Sequence, residues 1–151
     1  MHILNEIRLD FPALPENESL ARMVVSAFLV PLNPTLEELA DVKTAVSEAV
    51  TNAIVHGYGG KGGIVRLRAD CREDGMITVD VSDKGRGIAD IARARQPFFT
   101  TLGGEERSGM GFTVMESFMD NVEVHSAPGK GTVVRLQKQL NVREEILAQQ
   151  A

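Results

Sequence analysis

Three polar side chains recur at four-residue spacing in the segment "EAVTNAIVHG", at Glu48, Asn52 and His56. Residues four apart in an α-helix differ by only about 40° around its axis, so a helix here places the three side chains on one stripe. A carboxylate can act as a general base, and an amide oxygen is a suitable ligand for Mg²⁺. For His56, capping of helix carbonyls or packing against Tyr58 is favoured over a ligand role. The apolar residues around the stripe predict that it lies beside a buried face.

A second candidate site is the segment "SDKGRGI", which follows the strand-like segment "MITVDV" and places Asp83 at a strand end before Gly85 and Gly87. Glycines let a backbone approach a flat ligand, and a carboxylate accepts a hydrogen bond from an exocyclic amine. Adenine offers both features. Taken alone, the motif is equally typical of an ordinary turn with Asp83 as a turn residue.

A third candidate site is "ERSGMGFTVM", where Gly109 and Gly111 precede a predicted helix and leave backbone N–H groups at its positive end. Such an end attracts phosphate, and Arg107 could donate to a terminal phosphate. A flexible glycine loop with a solvated arginine is the alternative. The sequence contains no P-loop, no G-x-G-x-x-G between a strand and a helix, and neither the H-R-D nor the D-F-G segment of ordinary protein kinases.

Composition limits the classes of function. The chain has 151 residues and a net charge of -5, which fits one domain and disfavours direct binding to nucleic acid. Cys71 is the one cysteine, so no internal disulfide can form. The amino terminus lacks a secretion signal, and Ser26 and Pro31 interrupt the longest apolar run, so no membrane span is expected. These features predict a cytoplasmic protein.

Hydrophobic periodicity and turn signals predict the elements that position these residues. Strands are expected over residues 3–11, 64–71, 76–82, 122–127 and 132–138, and helices over about 18–30, 35–57, 88–94 and 111–119, with a further helix after 141. Thr35 and Glu38 have capping-box spacing at the start of the second helix. The order lacks regular βαβ alternation. It predicts an α/β fold of the α+β sandwich kind, with a mostly antiparallel sheet and helices on one face.

The segments "SEAVTNAIVHG", "DKGRGI", "QPFFTT", "ERSGMGF" and "GKGT" follow one another along the chain. Together they resemble the N, G1 and G2 boxes of the GHKL superfamily of ATPases and kinases, in particular its bacterial anti-sigma factor serine kinases of sporulation. The resemblance covers one domain over residues 1–151, except for the tail after about 140. It implies a Bergerat-type ATP-binding fold with ATP and Mg²⁺ as cofactors.

The resemblance also implies a role for each motif residue. Glu48 matches the general base, Asn52 the magnesium ligand and Asp83 the adenine contact, with Gly85 and Gly87 in the turn on the adenine side. The resemblance places Thr100 and Thr101 in an ATP lid over residues 97–107, and Thr132 near the adenine edge. It implies that Arg107 is a catalytic cation. The residues that it implies around the phosphates are Arg107, Ser108, Gly109, Met110 and Gly111.

Partners follow from the same resemblance. It implies a homodimer that holds a sigma factor inactive and phosphorylates a serine on an anti-anti-sigma partner, with Arg22 of the first helix as a partner contact. From sequence alone, a solvated Arg22 is equally favoured. The alternatives are an ATP-gated binding module with vestigial catalysis, a histidine-kinase catalytic domain and a stand-alone ATPase. Glu48 favours the kinase, since a switch needs no base, and a histidine kinase needs a phosphoacceptor helix for which the residues before the first helix leave no room.

Overall fold

The computed structural model describes residues 2–96 and 111–141. In chain order these residues form the strand β1 (Ile3–Pro12), the helix α1 (Asn17–Leu29), a 3-10 turn (Val30–Leu32), α2 (Leu36–Asn52), a π-helical turn (Ala53–Gly57), β2 (Ile64–Arg72), β3 (Met76–Asp83), α3 (Ile91–Ala94), α4 (Gly111–Phe118), β4 (Asn121–Ala127) and β5 (Gly131–Gln139). In this part of the chain, none of the helices has the length and apolar character needed to cross a membrane.

The five strands form one sheet in the order β1-β2-β3-β5-β4, and every neighbouring pair is antiparallel. The helices α1, α2 and α4 pack together in a layer against one face of this sheet. The predicted α+β architecture with helices on one face is therefore confirmed.

The core lies between the sheet and the helix layer because alternate strand residues point to opposite faces. On β3, Ile77, Val79 and Val81 are buried against the helices. From the helix side, Val46 and Val50 of α2 are fully buried as well. Burial of α2 along this face fixes the direction in which its remaining, polar stripe points.

The opposite face of the sheet carries charged side chains that pair across the strands. Arg68 on β2 lies 3.1 Å from Glu6 and 2.6 Å from Asp70. Two strands further along, Arg135 donates to both carboxylate oxygens of Asp80, at 2.8 and 3.0 Å. Because these pairs connect β1 with β2 and β3 with β5, they support the sheet from the side that no described helix covers.

The predicted capping box is confirmed at the start of α2. The Thr35 hydroxyl accepts a hydrogen bond from the Glu38 backbone N–H at 3.0 Å, and the Glu38 carboxylate accepts one from the Thr35 backbone N–H at 2.8 Å. A second Glu38 oxygen accepts from the Asn141 backbone N–H at 3.0 Å, which ties the end of the described chain to the start of α2.

The predicted α-helix over residues 35–57 is wrong in its last turn. Regular α-helical structure ends at Asn52, and residues Ala53–Gly57 form a π-helical turn. The Tyr58 backbone N–H donates to the Ala53 carbonyl five residues earlier, at 3.1 Å. Because a π-turn has a wider repeat, the stripe argument holds for Glu48 and Asn52 and does not extend to His56.

The short helix expected over residues 88–94 also begins later than predicted. It covers Ile91–Ala94, and the Asp90 carboxylate caps it by accepting from the Arg93 backbone N–H at 3.0 Å. The cap places the residues before Asp90 in the loop that follows β3.

Thr35→Ala should lower the free energy of unfolding by about 1 kcal/mol, because it removes the hydroxyl that accepts from an orphan N–H at the start of α2. Thr44→Ala is the matched control, since Thr44 lies on the same helix and its hydroxyl bonds to the Ala40 carbonyl one turn back. Urea denaturation of both variants and the parent measures the difference. Equal stability of the two variants would contradict a stabilising capping box.

Candidate functional site

The residues Glu48 and Asn52 lie half-buried on the last turns of α2, beside its buried face. The first residue of α4, Gly111, approaches them closely: a Cβ atom on Gly111 would lie 3.1 Å from Asn52 Oδ1 and 3.4 Å from Glu48 Oε2. Two motifs that are distant in the sequence are thus brought together. A carboxylate, a neutral amide and the first residue of a helix meet at this point.

A row of polar side chains crosses the end of the sheet on the face that the helices cover. Asp83 on β3 pairs in register with Thr132 on β5, which pairs with Ser126 on β4. Asp83 and Thr132 are each only 8% exposed. The neighbouring pair on the same face, Val81 and Val134, is buried and apolar, so the character of this face changes from apolar to polar at the end of the sheet.

Burial determines the electrostatics of Asp83. Loss of hydration raises the pKa of its carboxyl above the ordinary value of 3.8, while backbone N–H groups of Gly85 and Thr132 act in the opposite direction. The Gly85 N–H donates to Asp83 Oδ1 at 2.9 Å. Two backbone donors leave further lone pairs of the carboxylate available to a ligand.

Close approaches between backbones explain the glycines next to Asp83. A Cβ atom on Gly57 would come within 2.7 Å of the Asp83 carboxylate, and one on Gly85 would lie 1.9 Å from the Gly57 carbonyl oxygen. Gly87 has φ of +74°, and a Cβ there would lie 2.0 Å from the Ala127 carbonyl oxygen. The glycines of "DKGRG" therefore let the loop pack closely on protein backbone, and their approach to a ligand stays a prediction.

The C-terminal end of α2 joins the two halves of the site. Asn52 lies against Gly111 on one side, and Gly57, at the end of the π-turn, lies against Asp83 on the other. The Arg86 backbone N–H donates to the Gly57 carbonyl at 2.9 Å and fixes the loop after β3 against this turn. The end of α2 and the π-helical turn thus lie next to both the polar row and the start of α4.

Tyr58 is a site residue whose role was not predicted. Its hydroxyl donates to the Ile64 carbonyl at 2.6 Å and accepts from the Lys84 backbone N–H at 2.8 Å, so it holds the loop after Asp83 against the start of β2. Only the position of this tyrosine inside the glycine-rich segment "GYGGKGG" could have indicated such a role. Ser126 was also missed, because its place in the row depends on strand register.

Six predicted site residues lie outside the described residues, namely Thr100, Thr101, Arg107, Ser108, Gly109 and Met110. Of the segment that was expected to surround the phosphates, Gly111 alone is described. The predicted lid over residues 97–107 and the helix after 141 also lie outside the described residues.

Arg22, the predicted partner contact, lies on α1 with a side chain that is 40% exposed. Its guanidinium is 3.8 Å from Glu18, whose carboxylate also accepts a hydrogen bond from the Ser47 hydroxyl on α2. Through Glu18, the surface at Arg22 is thus connected with Ser47 on α2, the helix that carries Glu48 and Asn52. The guanidinium also lies 3.5 Å from the Ser19 hydroxyl, and the exposed part of the side chain remains accessible to another molecule.

Relative to the parent, Asp83→Asn should gain free energy of unfolding as the pH rises from about 3.5 to about 7. The folded protein binds the Asp83 proton more tightly than the unfolded chain, because burial raises the pKa above 3.8. Ionisation therefore removes stability as pH rises through that window, and asparagine does not ionise. Asp74→Asn, at an exposed carboxylate that also accepts a backbone N–H, is the matched control. Urea denaturation at both pH values measures the gain, and a gain that grows on acidification would refute the argument.

Comparison with known proteins gives a family for this arrangement. A model of the family described as "Histidine kinase-like ATPase domain" matches residues 11–138. An anti-sigma F factor of Thermoanaerobacter sp. (strain X514) is 56% identical over 138 residues, which cover 91% of this chain and 96% of the relative. The anti-sigma F factor of Clostridium acetobutylicum is 53% identical over 141 residues, which cover 93% of this chain and 98% of the relative.

Solved structures with low identity share the fold. The RsbU and RsbW domains of Rv1364c from Mycobacterium tuberculosis match with a TM-score of 0.67 and 20% identity, over 90% of this chain and 32% of that one. Full-length ShkA in complex with AMPPNP matches with a TM-score of 0.59 and 19% identity, over 85% of this chain and 30% of that one. The sheet with its layer of helices, the polar row and the match over most of the sequence lead to one conclusion: the chain belongs to the histidine kinase-like ATPase domain family and, within it, to the anti-sigma F factors.

Proposed function

We propose that this protein is a cytoplasmic, homodimeric anti-sigma factor that holds a sporulation sigma factor inactive and, with ATP and Mg²⁺, phosphorylates a serine of an anti-anti-sigma partner. The anti-sigma role is supported by the names of the relatives, because this chain matches them over nearly their whole length. The observation that carries the kinase activity is the meeting of Glu48, Asn52 and Gly111 at the end of α2.

The polar row is the proposed adenine site. Asp83 would accept a hydrogen bond from the exocyclic amine, since backbone N–H groups fill only part of its acceptor capacity. Thr132 lies beside it at the same depth. Full-length ShkA, which shares this fold, was solved in complex with AMPPNP, and this supports a nucleotide as the ligand.

The start of α4 is the proposed phosphate side. The described part of α4 starts at Gly111, and a helix that starts there would leave its first backbone N–H groups without partners within the helix, where they attract negative charge. Asn52 would hold Mg²⁺ through its neutral amide oxygen, which fits an ion that takes its other ligands from phosphates and water. The ion would neutralise charge on the phosphates.

Glu48 is the proposed general base. Its carboxylate lies one turn before Asn52 on the same face and close to Gly111, so it would face the terminal phosphate and the serine hydroxyl. As the serine oxygen forms its bond to the γ-phosphorus, the hydroxyl proton passes to Glu48, and the bond to the bridging oxygen breaks to release ADP. The products are phosphoserine, ADP and a proton.

Arg22 is the proposed contact for a protein partner. Its accessible guanidinium on α1 can bind a carboxylate, and Glu18 and Ser47 connect it with the helix that carries Glu48. A binding module with vestigial catalysis is the second candidate function, because it would use the same adenine contacts and the same Arg22 without a base.

Glu48→Gln should lower the rate of phosphate transfer to the anti-anti-sigma partner by roughly 10²–10⁴ and leave ATP affinity unchanged, because a base acts mainly in the transition state. Glu37→Gln, at an exposed glutamate in the first turn of α2, is the matched control. Labelled ATP, Mg²⁺ and purified partner measure the transfer, and calorimetry measures ATP binding. Binding of the sigma factor, followed by gel filtration, should persist in both variants.

The outcomes of this assay separate the candidate functions. A parent protein that binds ATP and the sigma factor but labels no partner supports the module with vestigial catalysis. A Glu48→Gln protein that transfers phosphate at the parent rate would falsify the assignment of the base. A parent that binds no sigma factor would contradict the anti-sigma role itself.

Asn52→Ala should remove most of the gain in ATP affinity that Mg²⁺ gives to the parent protein, because the amide reaches the phosphates only through the shared ion. Calorimetric titrations with and without Mg²⁺ measure this gain for both proteins. Thr51→Ala is the matched control, since the Thr51 hydroxyl bonds to the Ser47 carbonyl within α2. If the variant keeps the full gain, Asn52 is not the magnesium ligand.

A further inference from the structure

Ser126 on β4 completes the polar row, and its hydroxyl makes three contacts. It accepts a hydrogen bond from the Ile88 backbone N–H at 2.7 Å. It donates to the Gly131 carbonyl at 2.9 Å. Its third contact is with the Thr132 hydroxyl, at 2.8 Å. The side chain is half-buried, so these partners replace water.

Counting protons fixes the direction of the third contact. A serine hydroxyl has one proton and two lone pairs. A carbonyl oxygen can only accept, so the Ser126 proton is used by Gly131, and one lone pair is used by the Ile88 N–H. The second lone pair remains for Thr132, whose hydroxyl must donate its proton to Ser126.

From this geometry we infer that Ser126 determines specificity for the nucleotide base by positioning the Thr132 hydroxyl. Because Thr132 donates its proton to Ser126, the Thr132 oxygen can only accept a hydrogen bond from the base. The site therefore favours a 6-amino purine over a 6-oxo purine. The inference rests on the proposed adenine site. Since the Thr132 hydroxyl donates its proton in the hydrogen bond to Ser126, only its lone pairs can interact with the base, and lone pairs attract an amine and repel a carbonyl oxygen. Asp83 beside it is likewise an acceptor, so the two residues select the same chemistry.

Ser126→Ala removes the acceptor that holds the Thr132 proton. The Thr132 hydroxyl can then turn and donate to a 6-oxo group, so binding of a 6-oxo purine should improve relative to ATP. The ratio of the two affinities is the informative quantity, because distortion of the loop at Ile88 should weaken both nucleotides alike.

The test measures the affinities of ATP and inosine triphosphate by calorimetry for the parent, Ser126→Ala, Thr132→Val and the double variant. Ser126→Ala should lower the ATP preference by about fivefold, which is the effect of one neutral hydrogen bond. In the Thr132→Val background, which has no hydroxyl to orient, Ser126→Ala should leave the preference unchanged. Ser117→Ala, at an exposed serine of α4 bonded to its own helix, is the matched control.

Each result bears on a different claim. A parent that binds no ATP overturns the proposed function and this inference with it. A parent that binds ATP, with an ATP preference that Ser126→Ala leaves intact, overturns the role of Ser126 alone, as does a loss of preference that is equally large in the Thr132→Val background. Ser126→Cys, which fills the same space with a weakly hydrogen-bonding thiol, should shift the preference in the same direction and replaces the alanine variant if that variant does not fold.

Discussion

The close contact between Gly57 and the Asp83 carboxylate is the constraint on which the rest of the site depends. With no side chain at Gly57, the π-turn after α2 can lie within van der Waals reach of a carboxylate at the end of β3. The Gly57 carbonyl then accepts the Arg86 N–H, and Gly85 fits against the same peptide. Helix, strand and loop are thereby held at one point, and the stripe on α2 faces the same space as the polar row.

Two features of the site, a buried carboxyl and a π-helical turn, are locally less favourable than their ordinary alternatives. The Asp83 carboxyl is harder to ionise because it is buried, and α2 ends in a π-turn. Such features concentrate at functional sites, where geometry is selected over local stability. The ion pairs of Arg68 and Arg135 lie on the other face of the sheet, so the support they give does not compete with the site.

Much of the fold could be predicted from the sequence, because the signals for it are local. Alternation and turn residues predicted all five strands, and the spacing of Thr35 and Glu38 predicted the start of α2. The π-turn could not be predicted, because it depends on the packing of Gly57 against Asp83, which is a tertiary contact. The part played by Ser126 depends on the register of β4 with β5, and that of Tyr58 on a loop 26 residues away. Neither leaves a periodic pattern in the chain.

The order of strands in the sheet has a consequence for how the protein folds. Asp83 and Thr132 are 49 positions apart in the sequence, yet they are neighbours because β5 pairs with β3 and separates it from β4. Closing a loop of this length costs entropy before any contact forms, so pairing of β3 with β5 should come late in folding. The polar row therefore exists only in a chain in which β3, β5 and β4 have paired. A ligand that binds this row distinguishes the finished protein from its partly folded forms and stabilises only the former.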